Sequence, residues 1–138
     1  MQDNLKIISN IKYLVIHCSD NEFKLDNARD IHNLHLNFGW EGIGYHKVIK
    51  RDGKIENGRP EYWMGAHVFG YNKNSLGLCL IGTSYFTKKQ MISLKVQLIK
   101  WKRKYPYAEI LGHRDFKNTK KTCPNFDVKI WCKKENLI

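Results

Sequence analysis

Two short runs, Tyr13-Leu14-Val15-Ile16 and Leu76-Gly77-Leu78-Cys79-Leu80-Ile81, carry no charged or strongly polar side chain. Neither has the length of a globular helix, and neither alternates as a strand with one wet face would. Each therefore reads as a buried strand, the second as a central one. Such strands need a covering layer on each face, and the remaining sequence has to supply it.

Helical spacing supplies it in three places. After Asp26, the expected N-cap, the residues Ala28, Ile31, Leu34, His35 and Phe38 recur at helical intervals, and Gly39 follows where a helix would stop. Thr87-Lys88-Lys89-Gln90 forms a capping box that opens a second helix, with Met91, Leu94, Leu98, Trp101 and Tyr105 as its buried stripe. Pro106 ends it, because a residue before proline avoids helical angles. Asp127 is the expected cap of a terminal helix carrying Ile130, Trp131 and Leu137. Between these, Tyr45 to Lys50 and Lys54 to Glu56 flank an Asp52-Gly53 pair, a hairpin signal. Glu109 to Leu111 is a last short strand. The stretch from Asn57 to Asn74, broken by Gly58, Pro60, Gly65 and Gly70, reads as a long surface loop, of a length that is often functional in compact domains. The order strand, helix, hairpin, strand, helix, strand, helix predicts an α/β fold: a single domain over residues 1–138 with a mixed central β-sheet flanked by helices and ligands gathered at one edge.

At 138 residues the chain suits one core. No apolar segment is long enough to span a bilayer, and Met1 to Ile8 lacks the pattern of a secretory signal, so synthesis in the cytoplasm is expected. Four cysteines at irregular spacing read as reduced thiols rather than as a disulfide framework. The net charge of +11, from 24 Lys and Arg against 13 Asp and Glu, predicts attraction to polyanions. Most of it reads as a solvated surface. The group Lys117, Lys120, Lys121 matters more because it adjoins Cys123.

His17 ends the first strand, His113 follows the last one, and Cys123 lies in the loop Lys120-Lys121-Thr122-Cys123-Pro124. Two imidazoles and a thiolate suit zinc, and three protein ligands leave a fourth position open, as catalytic rather than structural zinc sites do. Spacing alone is a weak guide here, since no His-Glu-x-x-His helix or Cys-x-x-Cys pair forces the ligands together. A histidine at a strand end is more often a hydrogen-bonded structural residue. Cys18, on the opposite face of the strand from His17, reads as a core thiol. Cys79 and Cys132 read as packing, His46 as structural, and His32 and His35 as flanking a helix stripe.

Taken together, Val15-Ile16-His17-Cys18-Ser19, Gly44-Tyr45-His46, Lys50-Arg51-Asp52-Gly53, Gly65-Ala66-His67, Gly70-Tyr71-Asn72, Asn74-Ser75-Leu76-Gly77, Gly112-His113-Arg114-Asp115 and Lys121-Thr122-Cys123-Pro124 resemble type 2 N-acetylmuramoyl-L-alanine amidases. That family includes small phage lysozymes and, among wider kin, animal peptidoglycan recognition proteins. The resemblance runs from about Tyr13 to Trp131. It implies the zinc amidase fold, one Zn2+ held by His17, His113 and Cys123, Tyr45 and Lys121 as a polar catalytic pair, and His67 as a substrate contact. The implied reaction cuts the amide between N-acetylmuramic acid and the L-alanine of the stem peptide, leaving the glycan intact. The implied setting is a phage or prophage endolysin, a monomer reaching bacterial peptidoglycan through a holin, with no nucleic acid required. Two rivals remain. A recognition module that binds without cutting typically lacks the Cys123 ligand, and a nucleic-acid binder needs a fourth zinc ligand and a coherent basic stripe.

Overall fold

In the computed structural model, which describes residues 6–20 and 24–138, the two apolar runs lie side by side as parallel strands in the middle of one sheet. The start of the segment read for an export signal, Met1 to Leu5, lies outside the described residues. In chain order the elements are β1 (Tyr13–Cys18), α1 (Ala28–Asn37), β2 (Lys47–Ile49), β3 (Ile55–Asn57), β4 (Ser75–Leu80), α2 (Lys88–Lys104), β5 (Glu109–Gly112) and α3 (Val128–Lys134). The sheet order is β3-β2-β4-β1-β5. Only β3 runs antiparallel, to β2, across the turn where Gly53 takes φ +89°. The mixed sheet predicted from sequence is therefore a parallel four-strand core with one hairpin edge.

Alternation sorts the side chains of β1 and β4 onto two faces. Leu14, Ile16, Leu76, Leu78 and Leu80 pack with Leu94, Leu98 and Trp101 of α2 and Val128 and Cys132 of α3. On the other face Cys79 joins Ile31 of α1 and Ile43, while Val15 joins Val68, Leu111 and Phe116. All of the strand residues just named except Leu111 are 0% exposed, which is why the runs could be apolar throughout. Each buried Leu or Ile side chain contributes roughly 1.5–3 kcal/mol relative to exposure.

The capping box of α2 is present in both directions: Thr87 Oγ1 accepts from Gln90 N at 3.0 Å, and Gln90 Oε1 accepts from Thr87 N at 2.9 Å. Two expectations shift. The N-cap of α1 is Asn27, whose Oδ1 accepts from Asp30 N at 2.8 Å; the Asp26 amide donates to the Asp30 carboxylate instead. In α3, capped by Asp127 as expected, the buried positions are Val128 and Cys132, four apart on one face, and Ile130 is 65% exposed.

Because β1, β2, β4 and β5 are parallel, their carboxyl ends share one edge of the sheet, the place where open α/β sheets collect ligands. His17 and His113 both stand there.

Candidate active site

His17 is the second-last residue of β1 and, by alternation, shares the face of Val15. His113 begins a 3-10 turn directly after β5, held by the Gly112 amide donating to Asp115 Oδ2 at 2.8 Å and the Phe116 amide donating to the His113 carbonyl. Cys123 comes from the loop beyond. That loop is fastened to the turn by Arg114 N donating to the Cys123 carbonyl at 2.9 Å, and to the strand by Cys18 N donating to Cys123 Sγ at 3.1 Å. Asn125 adds a tether, its Nδ2 donating to the Thr83 carbonyl at 2.6 Å. The Cys123-Pro124 peptide bond is cis.

These fastenings bring one donor atom each of His17, His113 and Cys123 within 4.8 Å of one another. The His17 and His113 rings are 4.6 Å apart between centroids, and the Tyr45 ring is 5.0 Å from that of His17. Among the described residues no other group of three His, Cys, Asp or Glu side chains converges in this way. Two imidazole nitrogens and one sulfur match the donor preference of zinc, with too few ligands to close a tetrahedron.

The donors line a cavity of about 570 Å³, which also takes in Tyr45, His67 and Lys121. All six residues singled out in the sequence therefore meet at one place. The cavity wall includes Phe38 and Trp40 beyond the end of α1 and the exposed Phe69 of the long loop, so aromatic faces stand around the polar floor.

The electrostatics favour metal-ready ligands. Burial, reinforced by the Lys121 ammonium, holds His113 down at about 4. His17 is lowered too, by burial first and then by His67, His113 and Lys121. Both rings are thus neutral at physiological pH, the form that coordinates metals. The Cys123 thiol is raised by its hydrogen bond with the Cys18 thiol and by burial, so without a cation it keeps its proton. Binding a cation there must release that proton. Burial raises the Tyr45 phenol well above its usual value, with the neighbouring cysteines adding to it, so Tyr45 remains a hydrogen-bond donor.

His67 occupies the cavity floor, and both of its nitrogens are engaged within the protein, with His17 and with Ser75. Cys18 is buried as expected but not remote: it lines the cavity, gives its amide to the Cys123 sulfur and accepts from Asn125 Nδ2 at 3.7 Å. At the last residue of a strand, face alternation no longer separates neighbours cleanly. Cys79 and Cys132 are fully buried. His46 is structural, its Nε2 donating to the Trp63 carbonyl at 2.8 Å and its Nδ1 accepting from Gly77 N at 3.0 Å. His32 and His35, one turn apart on α1, accept from the amides of Ile43 and Gly44 and so hold the chain entering β2. Ser75 and Asn72 stand in two of the motifs quoted above, Asn74-Ser75-Leu76-Gly77 and Gly70-Tyr71-Asn72, but the sequence assigned neither a role.

Known proteins resemble this chain over most of its length. The family model described as N-acetylmuramoyl-L-alanine amidase matches residues 8–126, beginning ahead of Tyr13. The endolysin of Klebsiella phage KP32 is 37% identical over 134 residues, covering 91% of this chain and 87% of that protein. The solved structure of the N-acetylmuramoyl-L-alanine amidase LysC from Clostridium intestinale superposes with a TM-score of 0.82 at 30% identity, over 98% of this chain and 95% of that one. A mutant of Drosophila PGRP-LB in complex with tracheal cytotoxin superposes with a TM-score of 0.79 at 27% identity, over 95% of this chain and 85% of that one.

Proposed function

The chain belongs to the N-acetylmuramoyl-L-alanine amidase family, and on that premise we propose that His17, His113 and Cys123 hold one zinc ion at the centre of its amide-hydrolysing site. It is a peptidoglycan amidase related to phage endolysins. The bond cut is the amide joining N-acetylmuramic acid to the L-alanine that opens the stem peptide. The observation that carries the zinc assignment is the convergence of two neutral imidazoles and one thiol within 4.8 Å, in the same cavity as a cationic and a phenolic side chain.

When bound, zinc supplies a Lewis acid with an open coordination position and lowers the pKa of bound water towards about 7. The protein's own groups do the rest. Lys121 stands on the solvent side of the cavity and meets the negative charge that builds on the carbonyl oxygen as the amide carbon becomes tetrahedral. Tyr45, kept protonated, donates a hydrogen bond inside the cavity, to the attacking water or to the departing amine. The Cys18 amide donates to the Cys123 sulfur and orients it. His67 meets the substrate through its ring carbons only, leaving polar recognition to other residues. Phe38, Trp40 and Phe69 offer apolar faces to the sugar rings and limit water around the reacting bond. Lys117 and Lys120, both exposed beside Lys121, draw the site towards anionic envelope polymers. In this reading the protein works as a monomer at the cell wall, reached from the cytoplasm with the help of a holin.

The test is mass spectrometry of soluble products after zinc-loaded protein is incubated with purified peptidoglycan, alongside Cys123→Ser. Free stem peptides beginning at L-alanine, intact glycans and a silent control are the expected result. Protein that binds the wall without releasing peptides would make the chain a recognition module.

A further inference from the structure

His17 is held by more than packing. Its Nε2 lies 2.9 Å from His67 Nδ1, His67 Nε2 lies 3.2 Å from Ser75 Oγ, and Ser75 Oγ donates to the Tyr71 carbonyl at 2.9 Å. The direction of every proton in this series follows from its far end. A carbonyl only accepts, so the single Ser75 proton points at Tyr71 and the oxygen must accept from His67. His67 then carries its proton on Nε2 and offers a bare Nδ1. Only a His17 ring protonated on Nε2 can donate to that nitrogen. In a neutral imidazole this leaves the lone pair on Nδ1.

The position of His67 is built by the fold rather than borrowed from a loose loop. A Cβ at Gly77 of β4 would lie 2.6 Å from the His67 ring, and one at Gly65 would lie 2.6 Å from it on another side. Two glycines thus make the slot in which the ring sits. The backbone is pinned as well, with Asn72 Oδ1 accepting from the amides of His67 and Val68 at 2.9 Å each. His67 is 8% exposed and Ser75 is 0% exposed. So much restraint on one ring exceeds what a substrate contact needs and fits a residue that must hold a proton in a fixed direction.

We infer that His67 and Ser75 are positioning residues that fix His17 as its Nε2–H tautomer and so present Nδ1 as its metal donor. This rests on the reading of His17 as a zinc ligand, whereas the tautomer itself requires no metal. Outer partners of this kind typically set metal affinity by about ten- to a hundredfold.

Long-range 1H–15N correlation spectra of the metal-free protein report the tautomer of each histidine directly. His17 and His67 should both appear protonated on Nε2. In His67→Phe the His17 preference should fade, and the zinc dissociation constant, measured by competition with a chromophoric chelator, should rise by about ten- to a hundredfold. Ser75→Ala should give a smaller rise and a mixed His67 tautomer, and it carries the test if circular dichroism shows that His67→Phe does not fold. A native spectrum with His17 protonated on Nδ1 overturns the inference, as does a folded variant whose zinc affinity and His17 tautomer both match the native protein. Should the native protein take up no zinc at all, the zinc reading fails on its own, and the native tautomer spectrum alone decides whether the relay exists.

Discussion

Cys123 and Lys121 sit two residues apart and should fail in different ways. Cys123→Ser removes the one anionic ligand of the proposed zinc site, so both zinc content and peptide release should fall to background by atomic absorption and mass spectrometry. Lys121→Met leaves the donor set of His17, His113 and Cys123 intact. It should keep its zinc and lose about a hundredfold in kcat, the scale of one missing oxyanion donor. A Lys121→Met protein that also came up metal-free would sink this division of labour. At this scale the sequence was informative wherever a chemical group marks the end of an apolar run. His17 and His113 could be read in that way and Cys123 from its loop beside them, whereas Tyr45 and Lys121 came only with the family resemblance. The His17, His67, Ser75 series could not, because its members are separated by 50 and 8 positions and depend on what Gly77 lacks. No local pattern encodes a slot made by a missing side chain on another strand.

Among the elements, the start of α2 does two jobs with one pair of residues. Thr87 and Gln90 close the capping box, and Gln90 Nε2 also donates to the carbonyls of Ile49 and Ile81 at 3.2 and 2.8 Å, tying the helix to the ends of β2 and β4. Thr87→Ala should therefore cost about 1 kcal/mol, as an ordinary lost cap does. Gln90→Ala should cost more, by about a further 1–3 kcal/mol, because it also strips donors from buried carbonyls. Urea denaturation of the two variants gives the order; equal losses would mean the strand contacts contribute nothing. The cap itself was legible in Thr87-Lys88-Lys89-Gln90, but the second job was not, since a glutamine is not expected to be fully buried. The cap of α1 was misplaced by one residue for a related reason: Asp26 and Asn27 have equal capping chemistry, and only the backbone angle distinguishes them. In α3 the apolar residues that stand out in the sequence are Ile130, Trp131 and Leu137, while the positions buried in the core are Val128 and Cys132.

The whole molecule carries an acid weakness. His46 and His113 are held at about 4 and His17 and His67 are also lowered, in each case chiefly by burial. In the unfolded chain the same groups take up protons near 6.5. As pH falls below that value the unfolded state binds protons that the folded state refuses, so stability present above about pH 6.5 is lost on the way down to about pH 4. The thermal midpoint of the metal-free protein should be flat between pH 7 and 8 and fall steadily below 6.5. An unchanged midpoint at pH 4.5 would contradict the buried neutral histidines.

The Cys18 amide meets the Cys123 sulfur across 105 positions of chain. A cation gripping His17 and Cys123 consequently joins the first strand to the tail as a buckle joins two ends of a strap, and it strengthens the folded state in proportion to how tightly it is held. The strap lies open beside the buckle, since Lys117, Lys120 and Lys121 are all exposed and each is a tryptic cleavage point. Chelated protein should be nicked there first and zinc-loaded protein should resist, so that digestion timed by gel electrophoresis reads out occupancy with no cell wall present.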